Sequence, residues 1–150
     1  MGHPDPAQCL NAEFQPSGKA GNFSLIPNGI PSIEERIKLL YTDGVLTGKI
    51  SLETLVAVGS TNAAKVFGLY PKKGEIAVGS DADIVVFDPN STSTISAKTH
   101  HMATDYSAFE GREVSGQIRD VTVRGRFVVR SGALVVGEGG GRYLARPCTH

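Results

Sequence analysis

From Ser32 onward, apolar residues fall at helical spacing, with Ile33, Ile37, Leu40 and Tyr41 on one face. Ser32 followed three residues later by Glu35 forms the pattern of a capping box, so a helix is predicted to start there and to stop at Gly44. Ser51 caps a second predicted helix, in which Leu52, Leu55, Val56 and Gly59 make a narrow face. Ser60 or Thr61 opens a third, shorter helix carrying Ala63, Ala64, Val66 and Phe67, with Gly68 as its stop. Each of these faces needs a partner. At Pro71 the period changes. Ile76 and Val78 alternate around Ala77, Gly79-Ser80 turns, and Ile84 to Phe87 reads as a compact apolar strand. Thr94-Ile95-Ser96 predicts a weak strand, and Val114 to Ile118, Val121 to Val123 and Phe127 to Val129 predict three more. Arg124-Gly125-Arg126 is the tight turn between the last two, and Leu134-Val135-Val136 forms a hairpin arm after Ser131-Gly132. Before and after these elements the chain has no period.

In chain order this gives an irregular segment at 1–30, helices at 31–70, a β part at 71–136 and a flexible tail at 137–150. The layout is α+β, with no internal repeat and no block of like charge. A length of 150 residues suits one domain, or a small domain with an appendage. Lys plus Arg and Asp plus Glu balance at 15 each, which argues against a nucleic-acid-binding face. No apolar run approaches the roughly 20 residues that cross a bilayer. The start, Met1 to Pro6, lacks the basic-then-apolar order of a signal peptide and reads as an expression scar or a truncated beginning. Cys9 and Cys148 read as free thiols of a reducing cytoplasm rather than as a disulfide, and a cytoplasmic protein is expected.

Candidate chemistry is sparse. His100 and His101 are adjacent, so their side chains tend to point apart and make a poor metal pair; a hydrogen-bonding role is expected instead. His3 and His150 lie at the ends. Cys9 has no neighbouring base to activate it. Asp81 and Asp83 enter a strand on one face and are expected to hold the turn after Gly79 by accepting backbone N–H bonds. The glycines of 137–141 lack the Lys-Ser or Lys-Thr of a phosphate loop.

Several segments carry a resemblance. These are Ile26-Pro27-Asn28-Gly29, the run from Ser60 to Gly74, the Gly79-Ser80-Asp81-Ala82-Asp83 element, Thr99-His100-His101-Met102 and Asp105 to Gly111. Together, over roughly residues 22–145, the chain resembles the C-terminal part of the dihydropyrimidinase and D-hydantoinase family, the cyclic amidases of the amidohydrolase superfamily. The resemblance implies the last helices of a TIM-like barrel followed by part of a small accessory β-sandwich. It implies a parent hydrolase in which metal-activated water opens a cyclic diamide, such as a dihydropyrimidine or hydantoin, in pyrimidine degradation. Two zinc ions and a homo-oligomer are implied for that parent.

Asn28 on its own chemistry is a turn residue before Gly29, and the resemblance makes it a substrate contact in the intact enzyme. Asp5 falls near the position of the family's metal-ligating aspartate, but Pro6-Ala7-Gln8-Cys9 replaces the expected His-Pro-aromatic sequence. The family's His-x-His element and bridging lysine have no counterpart upstream of residue 22, and Lys49 and Lys65 stand in the wrong context. A barrel of this type needs about 250 residues. The expectation is therefore a fragment that binds no metal and is inactive alone, with unpaired sheet edges. The alternative is a non-catalytic interaction module descended from the same family.

Overall fold

Helices precede sheet in the computed structural model, which describes residues 29–137 and 139–146. The irregular segment expected over 1–30 lies outside the described residues except for Gly29 and Ile30, as do His3, Asp5, Cys9, Asn28, Cys148 and His150. The described chain forms two compact units. One comprises the residues up to Arg36 together with Thr92–Val114, and the other comprises Ile37–Ser91 together with the residues from Ser115 onward.

Helix α1 spans Arg36–Leu40 and widens into a π turn over Tyr41–Val45, closed by Leu46 N–H donating to Tyr41 O at 3.0 Å. Regular α geometry thus begins after Glu35, and the capping-box role expected for that residue gives way to burial, at 2% exposure. Gly44 does not stop the helix. It keeps a helical backbone and leaves room for Ile50, whose Cδ1 would lie 2.9 Å from a Cβ there. The chain reverses instead near Gly48, at φ +72°.

Ser51 caps α2 (Leu52–Val56) as expected, its Oγ accepting Thr54 N–H at 3.2 Å. The second and third predicted helices are not separate. A π turn over Ala57–Thr61 carries α2 directly into α3 (Asn62–Val66) with helical dihedrals throughout. The wider turn rotates the buried face, so Leu55 and Ala64 are buried while Leu52 and Val56 are exposed. Thr61 serves as a fastening rather than a cap, its hydroxyl donating to Gly74 O at 2.6 Å. Gly68, at φ +66°, ends α3 as predicted. Its N–H donates to Lys65 O at 3.1 Å, and Leu69 N–H donates to Ala64 O at 2.8 Å, a Schellman closure.

The strand expected at Ile76 and Val78 does not form. Both side chains face solvent, at 83% and 108% exposure, and the segment closes a turn through Ser80 N–H to Ala77 O at 3.1 Å. Alternation alone does not make a strand, and among the described residues none pairs with this segment.

The open antiparallel sheet has the order β1-β2-β3-β4, with β1 at Val85–Thr94, β2 at Glu113–Val123, β3 at Arg126–Arg130 and β4 at Ala133–Leu134. Strand β1 absorbs the two short strands predicted around Phe87 and Thr94. It tolerates Pro89 because it lies at the sheet edge. Strand β2 likewise unites two predicted strands, with a register shift between Val121 and Thr122. Two-residue turns join the last three strands: Arg124 and Gly125 have φ of 52° and 75°, and Ser131 and Gly132 have 51° and 78°. These are the values of type I′ hairpins, whose twist matches the strands.

In the second unit, the helical part is riveted to the sheet. Thr42 Oγ1 accepts Ser115 N–H at 2.9 Å and donates to Lys38 O at 2.8 Å. The Tyr41 ring meets Phe87 edge-on at 4.9 Å, and Phe87 lies across Gly116. In the first unit Ile95, Val114, Ser107 and Glu35 are buried. Ile95 bonds on both sides, donating to Arg112 O and accepting from Gly111 N–H, each at 2.9 Å.

Candidate functional site

Carboxylates and imidazoles gather in the first unit. The sequence places Glu34 beside Glu35 and His100 beside His101, and the fold lays one pair against the other. Glu34 takes both hydrogen bonds that His101 offers. The backbone N–H donates to Oε2 at 2.7 Å, and Nδ1 donates to Oε1 at 2.9 Å. Glu35 faces His100, with Oε1 3.9 Å from Nδ1, and the two side chains are 2% and 4% exposed. That separation is too long for a hydrogen bond, and Glu35 Oε2 and His100 Nδ1 are both buried without a partner. The other ring nitrogen, Nε2, lies 2.8 Å from Thr104 O. A third carboxylate, Glu110, braces the same turn by accepting from Ser96 Oγ and Ala97 N–H, each at 2.7 Å. The Ser96 hydroxyl, and next the Ala97 N–H, hold the Glu110 carboxyl below the usual carboxylate range.

The expected hydrogen-bonding role of His100 and His101 is therefore what the structure displays. An acid and an imidazole in contact are the materials of proton-transfer catalysis, but a catalytic base must reach its substrate. Glu35 and His100 are both buried, so this pair does not meet that requirement.

A second cluster lies in the other unit. Lys73 Nζ is gripped by Asp83 and, at 2.9 Å, by Asp81, the two carboxylates presented on one face of an extended segment as their spacing predicted. Asp83 Oδ1 also accepts Arg124 N–H at 2.7 Å, which ties the turn after Gly79 to the β2–β3 hairpin. Partial burial pulls the Lys73 ammonium down, but its bonds to Asp83 and Asp81 outweigh that and leave it above the ordinary lysine value. For Asp83, burial pulls the carboxyl up, and the bonds from Lys73 and Arg124 outweigh that and hold it low. This is a structural clasp, in which Asp83 accepts a backbone N–H as expected and the Asp81 carboxylate pairs with Lys73 instead.

Among the described residues, no group of three or more His, Cys, Asp and Glu lies close enough to hold a metal ion. Both Lys49 and Lys65 are exposed, and the Lys65 ammonium stacks over the Tyr70 ring at 5.0 Å. The two site residues expected from the sequence, Asn28 and Asp5, lie outside the described residues. Among the described residues, no helix is long and apolar enough to cross a membrane.

Sequence reasoning missed the pairing role of Glu34, Glu35, Glu110 and Lys73. Two adjacent acids and two adjacent histidines were visible. Their pairing was not, because the partners lie 67 residues apart in the chain for Glu34 and His101.

Comparisons with known proteins follow the same outline. A model of the amidohydrolase family matches residues 15–128. D-hydantoinase from Geobacillus stearothermophilus is 52% identical over 126 residues, covering 84% of this chain and 27% of that protein. Dihydropyrimidinase from Rattus norvegicus is 48% identical over 139 residues, covering 91% of this chain and 27% of that protein. The solved D-hydantoinase (dihydropyrimidinase) from Thermus sp. superposes with a TM-score of 0.83 at 51% identity, over 91% of this chain and 30% of that one. The chain thus spans about 27% of the length of the curated relatives it matches. Its short helices and open sheet are part of the fold those structures share.

Proposed function

The chain belongs to the amidohydrolase family, and from that premise we propose that it is the C-terminal part of a hydrolase that opens cyclic amides, inactive by itself. The supporting observation is identity of about half the aligned residues, sustained over 84–91% of this chain, to proteins named D-hydantoinase and dihydropyrimidinase. The substrate class proposed for the whole enzyme is a dihydropyrimidine or hydantoin ring. Residues 31–70 supply the last helices of its barrel, residues 71–136 supply part of its accessory sandwich, and residues 137–150 form a tail. Asn28 contacts the ring in the intact enzyme, and Asp5 is the one early carboxylate offered for a metal. A cytoplasmic homo-oligomer is the proposed state of the parent.

Two zinc ions complete that parent enzyme. The described residues do not fit them, because no three ligating side chains converge. No step of ring opening is therefore assigned to a residue described here.

Metal analysis combined with hydantoin and dihydrouracil ring-opening assays tests this reading. The 150-residue chain is expected to bind no stoichiometric zinc and to turn over neither ring. Turnover by the chain with bound zinc would overturn its inactivity alone. A longer polypeptide that contains this chain is expected to open one of the rings.

A second reading, a non-catalytic assembly module, is favoured by the exposed apolar side chains Val66, Phe67, Ile76 and Val78. It predicts that the longer polypeptide associates with other proteins while leaving both rings intact.

A further inference from the structure

We propose that the loop at residues 72–81 is a plug, presenting Ile76 and Val78 for insertion into the part of the longer enzyme that lies outside this chain. The inference rests on the reading of the chain as one part of a cyclic-amide hydrolase. The loop is closed at its base. Asp81 N–H donates to Lys72 O at 2.9 Å, Ser80 Oγ donates to Pro71 O at 2.8 Å, and Lys73 Nζ pairs with Asp81 at 2.9 Å. Within it, Gly74 O accepts the Thr61 hydroxyl at 2.6 Å. Gly74 also lies against α3 so closely that a Cβ there would stand 2.6 Å from that of Ala64. The loop is thus compact in itself and seated on a helix, the construction of an Ω-loop.

Its outer part is apolar. Glu75, the one charged residue between Gly74 and Ser80, is turned back to the Tyr70 hydroxyl, which donates to its Oε2 at 2.7 Å. Ile76 and Val78 are left exposed, and so are Val66 and Phe67 at the end of the helix that seats the loop. One exposed aliphatic residue needs no explanation. A tip fixed by its own polar bonds is different, because it holds two such residues in water where polar ones are the ordinary choice.

The occupant follows from shape and from length. At a two-fold interface a protruding tip meets the same tip of its copy, so a second copy of this chain fits poorly. A larger body with a recess fits well. The Thermus D-hydantoinase keeps this fold, with a TM-score of 0.83, within a chain of which the match covers 30%. The greater part of such a chain lies outside the match and supplies the recess.

Thiol labelling of Val78→Cys, read at that site by peptide mass, tests the plug. It compares the 150-residue chain with a joined protein, Geobacillus stearothermophilus D-hydantoinase carrying this chain in place of its matching stretch. The site is expected to label freely in the chain and at least about tenfold more slowly in the joined protein. Equal rates would overturn the proposal. So would slow labelling in the chain alone, and if it speeds on dilution the occupant is a second copy. Ile76→Asp is expected to leave the Tm of the chain unchanged and to lower that of the joined protein by several degrees, whereas equal shifts in both refute the insertion. Absence of ring opening by the unsubstituted joined protein would count against the hydrolase reading alone, since labelling is read without activity. If the joined protein is not recovered folded, hydroxyl-radical footprinting of the native Geobacillus enzyme decides. Its residues aligned with 76 and 78 are expected to be protected relative to the chain, and equal modification overturns the proposal.

Discussion

Gly116→Ala is expected to be among the most damaging single-methyl changes in the second unit. A Cβ at position 116 would lie 2.0 Å from Phe87 Cζ, 2.6 Å from Cε1 and 2.9 Å from Cε2. Carbon atoms in good contact stand about 3.5–4.0 Å apart, so the ring would have to retreat by about 1.5 Å. It cannot retreat freely, because the Tyr41 ring holds it edge-on at 4.9 Å. That contact contributes about 0.5–1.5 kcal/mol beyond its area. Position 116 also sits at φ +85°. A residue with a Cβ pays about 1–2 kcal/mol for left-handed backbone, and overpacking adds about 1–3 kcal/mol. The sum is a loss of about 2–5 kcal/mol. Urea unfolding of the chain followed by circular dichroism measures it, and Tm should fall by about 2–4 °C per kcal/mol. The steric share is separable. With Phe87→Leu in the background the ring is gone, so Gly116→Ala should then cost only its backbone part, with a coupling of about 1–3 kcal/mol in the cycle. A single-variant cost below about 1 kcal/mol, or no coupling, would refute the reasoning.

Three further changes follow from the same geometry. Thr42→Val keeps the shape but strips Ser115 N–H of its acceptor at 2.9 Å; urea unfolding should show a loss of about 1–3 kcal/mol, with Thr42→Ser close to wild type. Asp83 is held low by Lys73 and Arg124 against its burial, so its stabilisation is present above the unfolded value of about 3.9 and is lost as pH falls through the lower folded value. Asp83→Asn should therefore flatten the acid limb of a stability–pH profile, and an unchanged limb would count against the clasp. Ser131→Asn should raise Tm modestly, because Ser131 sits at φ +51° and asparagine relieves part of the about 1–2 kcal/mol that such backbone costs.

What the sequence disclosed was local chemistry. Ser51 capped α2 because a serine before an apolar helical run has one preferred use, and Gly68 ended α3 because only a left-handed residue closes that turn cheaply. Arg124-Gly125 was legible as a hairpin for the same reason, and Asp81 with Asp83 as a structural pair because alternate residues share a face. What stayed hidden depended on partners remote in sequence. Glu35 carries the spacing of a capping box, yet it is drawn into contact with His100, a residue whose proximity no periodicity could reveal. Ile76 and Val78 alternate as a strand would, yet among the described residues no strand pairs with them to turn alternation into a ladder. The π turn over Ala57–Thr61 escaped notice because one extra residue per turn leaves no compositional mark, while it moves the buried face from Leu55 to Ala64.

Local and global specification separate in this chain. Caps, hairpins, clasps and register are all supplied from within it, and the result superposes on the Thermus D-hydantoinase with a TM-score of 0.83. Burial is not supplied to the same degree. Among the described residues the buried hydrophobic side chains are Leu55, Ala64, Ile95 and Val114, while Ile33, Val66, Ile76, Val78, Leu134 and Tyr143 stand in solvent. Fully burying one large aliphatic side chain contributes about 1.5–3 kcal/mol, so covering three of them adds as much as a small domain's entire net stability. The polar fastenings cannot replace that term, because an ion pair such as Lys73–Asp81 or His101–Glu34 contributes about 0–1 kcal/mol at a partly exposed site. The contacts that fix the shape of this stretch are thus different from the contacts that would hold it folded. Covering its exposed apolar side chains would add the larger stabilising term.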